Sequence, residues 1–160
     1  MQISVRWLGE WVDVSPSPSV LAEELTSAGL EVSAVEAIAP LSSKIVVGSV
    51  VSNRDHRSVS SLGVCSVSVG RAQNVRIVSE DSNIRMGAKV AVALPGTTLP
   101  SGKVIRRATV DGELSGGLLC SAADIGLEEN SEGILGFDDS ANIGQTVMEH
   151  LRLDDTILDI

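Results

Sequence analysis

Short apolar runs separated by turn residues dominate the middle of the chain. Within 62–69, Cys65, Val67 and Val69 alternate with serines, as in a strand with one face in a core and the other in solvent. Such runs predict five short strands, at 45–52, 62–69, 75–78, 89–93 and 104–110. Five short strands at this spacing are what a small closed barrel needs, so an OB-like barrel is favoured. Periodicity alone leaves a sandwich as the alternative.

The N-terminal region carries a helical pattern instead. A helix is predicted over 18–28, because Pro18 suits its first position, Ser17 can cap its amides and Gly29 can end it. Its apolar stripe consists of Leu21, Leu25 and Ala28. The loose alternation that follows predicts a short strand at 30–36. A further element is indicated by the helix-compatible spacing of Trp7, Leu8, Trp11 and Val12.

The region after the predicted strands is rich in glycine, serine and acidic residues. Residues 112–133 are expected to wrap the barrel without extending its sheet. The apolar pairs at 118–119 and 134–135 would hold this segment to the core. The tail predicts a short helix at 146–151.

Composition narrows the possible functions. Aromatic residues make up 2% of the 160 residues, so a broad aromatic platform for stacking bases is excluded. Cys65 and Cys120 lack the spacing of a zinc site and are predicted to be buried thiols. No apolar run is long enough to span a membrane, and the N-terminus lacks the features of a signal peptide. These features predict a cytoplasmic protein without membrane contact.

The formal net charge of −9 hides an uneven distribution. Residues 44–107 hold ten basic and three acidic side chains, whereas 1–43 hold one and six, and 108–160 hold one and twelve. Binding to a polyanion needs clustered Lys and Arg, and acidic flanks would repel the polyanion elsewhere. The basic middle region therefore predicts nucleic-acid contact on one face, with ordinary solvated surface as the alternative.

No catalytic or metal site is predicted. His56 stands among charged residues and is interpreted as part of an exposed polar loop, not as a catalytic base. The acidic residues of the C-terminal third are numerous enough to bind a cation, but their spacing fits no calcium loop and favours a solvated face. They are Glu128, Glu129, Glu132, Asp138 and Asp139. No glycine loop suited to cradling a phosphate precedes a helix.

Several short motifs occur in an order that resembles one family. WLGEWV at 7–12 and LAEELTSAGLEV at 21–32 are followed by IVVGSVV at 45–51, VAVALPG at 90–96 and GELSGGLLCS at 112–121. In this order the motifs are similar to the N-terminal region of bacterial phenylalanyl-tRNA synthetase β subunits. The last of them resembles the signature that closes the family's OB-type tRNA-binding domain.

The resemblance implies a domain organisation and a fold class. It predicts an N-terminal segment at 1–38, an OB-like tRNA-binding domain at 39–150 and a return segment at 151–160. The fold would be mainly β with flanking helices, in the α+β class, with a five-stranded barrel and a small incomplete N-terminal α/β subdomain. Two loops depart from the family pattern. HRSVSSL at 56–62 lacks the usual Pro, Asn and Lys, and VSEDSN at 78–83 places two acids at the barrel rim.

The resemblance also implies a function. The chain would be a non-catalytic N-terminal piece of the synthetase that helps to bind and position tRNA weakly and in a salt-sensitive way. ATP, magnesium and the catalytic α subunit would belong to the full enzyme, and no cofactor to this piece. The alternative is a degenerate OB module for subunit assembly. A free-standing tRNA-binding chaperone is disfavoured, because residues 1–38 match the synthetase.

The predicted RNA contacts combine the basic middle region with two serines of the closing motif. Arginine is well suited to such a role, since its guanidinium group can both pair with phosphate and stack on a base. The candidates are Arg54, His56, Arg57, Arg71, Arg76, Arg85, Lys89, Lys103, Arg106, Arg107, Ser115 and Ser121.

Overall fold

The computed structural model describes residues 1–38, 41–81 and 84–160. The chain divides into two compact units, Met1–Pro40 with Arg152–Ile160, and Leu41–Leu151. In chain order the elements are β1 (Gln2–Ser4), α1 (Val5–Gly9), α2 (Pro18–Ser27), β2 (Ala34–Ala37), β3 (Ile45–Asp55), β4 (Gly63–Ser68), β5 (Val75–Ser79), β6 (Lys89–Ala93), β7 (Ala108–Val110), β8 (Glu113–Ser115), β9 (Leu118–Leu119), β10 (Gly136–Phe137), α3 (Val147–His150) and β11 (Thr156–Asp159). In the described ranges, no helix has both the length and the apolar character needed to cross a bilayer.

The first unit is built around a three-stranded antiparallel sheet in the order β1-β11-β2. The central strand contributes Leu158, which is fully buried and pairs in register with Ile3 on one side and Val35 on the other. Asp155, just before this strand, accepts hydrogen bonds from the Ser4 hydroxyl and from the backbone amides of Arg6 and Thr156. Burial alone would raise the pKa of Asp155, but these hydrogen bonds outweigh it and lower the pKa.

The predicted helix at 18–28 is confirmed as α2, although two of its details differ. Ser17 occupies the N-cap position, but its hydroxyl hydrogen-bonds to the Ser19 hydroxyl and not to a helix amide. Ala28 is exposed, whereas Ala22 is buried, so the apolar face is rotated from the predicted stripe. The strand predicted at 30–36 begins later, at Ala34, because the Val32 amide donates to the Thr26 hydroxyl and holds the chain close to the helix.

The second unit is a nearly closed, OB-like barrel. Its sheet follows the order β10-β6-β3-β4-β5, and β9 also pairs with β6. The long strand β3 pairs with β6 through its first half and with β4 mainly through its second half. A register shift between Val50 and Ser52 marks a bulge, which lets a strand bend around a barrel. Near the closing edge, the Gly116 amide donates to the Arg76 carbonyl at 2.7 Å.

Aliphatic side chains fill the barrel core, as the low aromatic content requires. The alternation predicted in β4 is confirmed, because Cys65 and Val67 are fully buried while Ser66 and Ser68 are only half-buried. The core cluster consists of Val46, Val50, Cys65, Val67, Val69, Ile77, Val90, Val92, Leu94 and Leu119. Leu119 thus anchors the segment after the barrel strands, as predicted.

The strands predicted at 45–52, 62–69, 75–78 and 89–93 are confirmed, but the one predicted at 104–110 is wrong as a barrel strand. Ala108–Val110 forms a separate hairpin with Glu113–Ser115. Residues before it are held in a turn, in which the Ile105 amide donates to the Thr97 carbonyl at 2.8 Å. The barrel edge is instead completed by Gly136–Phe137, paired with β6.

Residues 112–133 were expected only to wrap the barrel, yet they contribute β8 and β9. The tail helix is confirmed as α3.

Candidate nucleic-acid interface

Three arginines from separate segments line one open cleft on the barrel surface. Arg71 lies in the loop after β4, Arg76 lies on β5, and Arg107 immediately precedes β7. The cleft has a volume of about 610 Å³, and we call it the arginine cleft. Its remaining lining residues are Ala72, Gln73, Asn74, Val75, Leu94, Pro95, Leu114 and Gly116.

The lining of the arginine cleft suits a sugar-phosphate backbone. Its charged lining residues are all arginines, which can hold phosphate oxygens through paired N–H groups. Gln73 and Asn74 add amide groups that can donate or accept hydrogen bonds. Leu114, whose side chain is half exposed, offers an apolar surface against which a ribose or a base can pack. This combination favours binding of a polyanion that also carries flat or apolar groups.

A second cluster of arginines surrounds the carboxylate of Glu113. One of its oxygens lies 2.6 Å from Arg54 Nη2 and 4.0 Å from Arg57 Nε, and the other lies 3.9 Å from Arg76 Nη1. These residues line a cleft of about 390 Å³ together with Ser58, Asp111 and Gly112. We call this the Glu113 cleft. Arg76 lines both clefts, so the two basic surfaces are adjacent.

Glu113 is held in its charged form by these arginines. The hydrogen bond from Arg54 is the main cause that lowers the pKa of Glu113, and the charges of Arg54, Arg57 and Arg76 lower it further against the opposing effect of burial. Glu113 was not predictable as a site residue, because it lies 59 positions from Arg54 and no local pattern relates the two. Its only sequence signal was an acid placed within the motif GELSGGLLCS.

His56 has a structural role, and its assignment to an exposed polar loop was wrong. The residue is only 4% exposed. Its Nδ1 accepts from the backbone amides of Ser58 and Val59, both at 3.2 Å, and its Nε2 lies 3.1 Å from the Val110 carbonyl oxygen. Because Nδ1 accepts from two amides, Nε2 is the nitrogen that can donate to the Val110 carbonyl. The imidazole turns inward because it satisfies three backbone groups at once, and it is not presented for RNA contact.

Comparison with known proteins identifies the family. The family described as "Putative tRNA binding domain" matches residues 45–146, which include all three arginines of the arginine cleft. The chain belongs to this family.

The names of similar proteins agree with the resemblance seen in the sequence motifs of this tRNA-binding family member. Over all 160 residues, the chain is 42% identical to the phenylalanine–tRNA ligase beta subunit of Legionella pneumophila (strain Lens). It is 41% identical to the subunits of the same name from Coxiella burnetii and Idiomarina loihiensis. Each alignment covers 100% of this chain and 20% of the relative, so the chain spans about a fifth of the relatives' length. The predicted resemblance is confirmed.

Solved structures also match this chain, among them one domain of a Plasmodium protein. The C-terminal domain of Plasmodium vivax p43 aligns with a TM-score of 0.46 at 22% sequence identity. The alignment covers 62% of this chain and 56% of that one.

Three further candidate contacts of this tRNA-binding family member are hydrogen-bonded to other residues of the unit Leu41–Leu151. Lys89 donates from Nζ to the carbonyls of Asp139 at 2.8 Å and Ala141 at 2.6 Å. The buried Ser115 hydroxyl accepts from the Val78 amide and donates to the Gly117 carbonyl. Ser121 pairs with Asp124, since the Ser121 amide and hydroxyl both donate to the Asp124 carboxylate and the Asp124 amide donates back to the hydroxyl. These polar groups stabilise the barrel's loops.

The remaining basic candidates lie outside the two arginine-lined clefts. Arg85 and Arg106 are exposed and line neither of them. Lys103 lines a different cleft that also contains Glu80, Asp81 and Asp124, so an anion there would meet acids. The structure therefore brings together Arg54, Arg57, Arg71, Arg76 and Arg107 and leaves the other basic candidates apart.

The two cysteines are buried free thiols, as predicted. Burial raises the pKa of Cys120 to about 12 and also raises the pKa of Cys65, so neither is a reactive thiolate at neutral pH. The five acids considered for cation binding are exposed. Within residues 1–38, 41–81 and 84–160, no group of three or more His, Cys, Asp or Glu side chains is arranged to hold a metal ion.

Proposed function

We propose that this chain serves as the tRNA-contacting region of a phenylalanine–tRNA ligase beta subunit, and that the arginine cleft holds the sugar-phosphate backbone. The observation that carries the proposal is the family match over 45–146, which contains Arg71, Arg76 and Arg107 in one cleft. The relatives that match the whole chain carry the ligase name, which supports phenylalanine-specific tRNA as the ligand.

The proposed binding works through electrostatics and shape. Each arginine that contacts a phosphate releases condensed counterions, so affinity falls as salt rises. Three such contacts give a modest affinity, and the net charge of −9 keeps the rest of the surface from attracting RNA. The cleft would therefore position tRNA on one face, with recognition of the amino acid and of most bases made elsewhere in the enzyme.

The chemistry of aminoacylation belongs, in this proposal, to other parts of the assembled ligase. ATP and magnesium would be used there, with the α subunit as partner in the cytoplasm. This chain's own residues would bind and orient the RNA. Its nucleophilic candidates support such a division, because both thiols are buried and the Ser115 and Ser121 hydroxyls are engaged in internal hydrogen bonds.

A second candidate function is a module that supports subunit assembly without touching RNA. The observation that favours it is the internal use of His56, Lys89, Ser115 and Ser121, which commits four of the twelve predicted contacts to hydrogen bonds within the protein. Under this alternative, the arginine cleft would be ordinary barrel surface, and altering its charge would leave tRNA affinity unchanged.

A filter-binding titration of tRNA against the 160-residue chain distinguishes the two candidates. We expect measurable binding at low salt, because three phosphate contacts are made at the cleft. Raising salt from about 50 to about 200 mM should weaken it by at least roughly twentyfold, as expected for three or more contacts. Absence of binding even at the lowest salt would refute the RNA proposal and leave the assembly module as the better account.

A further inference from the structure

The arginines around Glu113 carry more positive charge than one carboxylate can neutralise. Its side chain is 11% exposed, whereas those of Arg54, Arg57 and Arg76 are 44%, 84% and 61% exposed. Only Arg54 makes a short contact, at 2.6 Å, while the other two lie near 4 Å. Three guanidinium groups thus converge on the Glu113 carboxylate, and with Asp111 also in the lining the cleft keeps an excess of one positive charge.

The burial of Glu113 alone does not explain why three arginines converge on it. If the arginines served only to satisfy the buried Glu113 carboxylate, the hydrogen bond from Arg54 would be enough. Arg57 and Arg76 are largely solvated, and like charges placed close together repel one another. The arrangement is stable when an anion lies among them, and in the free chain that anion is the Glu113 carboxylate.

We propose that the Glu113 cleft is a binding site for one RNA phosphate, and that the Glu113 carboxylate occupies its anionic position until a phosphate displaces it from Arg54. The inference rests on the proposed function and adds to it a second phosphate site beside the arginine cleft. Arg76 lines both clefts, so a backbone that follows the arginine cleft passes the Glu113 cleft next.

Glu113 thereby restrains RNA affinity. Glu113 is charged at neutral pH, as its lowered pKa requires, and it competes with phosphate there. A carboxylate and a phosphate cannot both occupy the short contact with Arg54, and they repel each other across the cleft. Only a strand already held by its neighbouring phosphates would displace Glu113, since the linked phosphate has a high effective concentration. An isolated small anion would bind only weakly, through Arg57 and Arg76, and would leave Glu113 on Arg54.

The first test compares Glu113→Gln with Glu129→Gln, which removes the same charge from an exposed acid that lines neither cleft. In tRNA filter binding at low salt, we expect Glu113→Gln to bind roughly fivefold more tightly than the unaltered chain. Its dependence of log affinity on log salt should stay close to that of the unaltered chain, because Arg54 contacts a phosphate in both complexes. Glu129→Gln should change the affinity less than twofold and leave the slope unchanged.

A double variant isolates the role of Arg54. In Arg54→Gln/Glu113→Gln, the salt slope should be shallower by about one than that of the unaltered chain, because the phosphate contact of Arg54 is gone. Equal affinity for Glu113→Gln and Glu129→Gln would overturn the proposal, as would weaker binding by Glu113→Gln or an unchanged salt slope in the double variant. Any of these results, with normal tRNA binding by the unaltered chain, would leave the proposed function standing.

A measurement without substitutions covers the case in which Glu113→Gln does not fold. In the unaltered, ¹⁵N-labelled chain, the Arg54 Nε–Hε resonance should shift as tRNA saturates the protein, since its partner changes. An unshifted Arg54 resonance at saturation would contradict the exchange. If tRNA does not bind at all, inorganic pyrophosphate serves as the probe. A shift of the Arg54, Arg57 and Arg76 resonances in Glu113→Gln, or of the Arg57 and Arg76 resonances in the unaltered chain, would support the anion site. Unshifted resonances would refute it.

Discussion

Reversal of the charge on Arg107 is expected to weaken tRNA binding by roughly tenfold to a hundredfold at low salt. Arg107→Glu removes one of three phosphate contacts from the arginine cleft and places a negative charge against the backbone. The loss should appear with a salt slope that is shallower by at least about one. Filter binding of tRNA at several salt concentrations measures both quantities.

Arg106→Glu is the matched control for this change. Arg106 is the preceding residue, is exposed and does not line the cleft, yet its reversal alters the net charge by the same amount. We expect its tRNA affinity to stay within about threefold of the unaltered chain at low salt, because its charge lies outside the contact and is screened. Equal losses for the two variants would mean that net charge, and not the cleft, governs binding.

Substitution of Gly117 by alanine is expected to destabilise the barrel by about 2–3 kcal/mol. A β-carbon at this position would lie 2.7 Å from the Ala93 carbonyl oxygen, which is backbone and cannot turn aside. Gly117 immediately precedes β9, whose Leu118 pairs with Ala93 in β6. Relief of the clash would pull β9 away from β6 and weaken the burial of Leu119 in the core. Urea denaturation followed by circular dichroism measures the change.

Gly9→Ala is the control for a glycine whose replacement meets no obstacle. No atom lies within 4 Å of a β-carbon built there, and Gly9 is the last residue of α1. We expect a change within about 0.5 kcal/mol, since alanine favours helix and fills only open space. A Gly117→Ala chain as stable as the unaltered one would show that β9 does not pack against β6 as closely as described.

The barrel strands were largely predictable from local patterns. Alternation of apolar and polar residues marked β4, and turn residues bounded 75–78 and 89–93. Strands of two to four residues, such as β1, β10 and β11, are too short to carry a period and are defined by their partners. The strand predicted at 104–110 failed for a related reason. Part of this segment lies in a turn, where the Ile105 amide donates to the Thr97 carbonyl, and the rest forms a separate hairpin.

The candidate site was predictable in composition but not in arrangement. The basic middle region was visible in the sequence, and it contains the five arginines that the two clefts bring together. Lys89 looked equivalent to Arg76 in sequence. Its separation from the site depends on carbonyls 50 and 52 positions away, at Asp139 and Ala141. His56 and Glu113 likewise owe their roles to distant partners that no local pattern encodes.

The most direct measurement of the central claim is the surface that tRNA covers on the ¹⁵N-labelled chain. In amide NMR spectra recorded during a tRNA titration at low salt, we predict the largest shifts or broadening for residues 72–74, Leu114 and Gly116, which line the arginine cleft. The amide resonances of the acidic segment 128–139 should remain unchanged. Perturbation confined to another face of the barrel, with the cleft amides unaffected at saturation, would contradict the account.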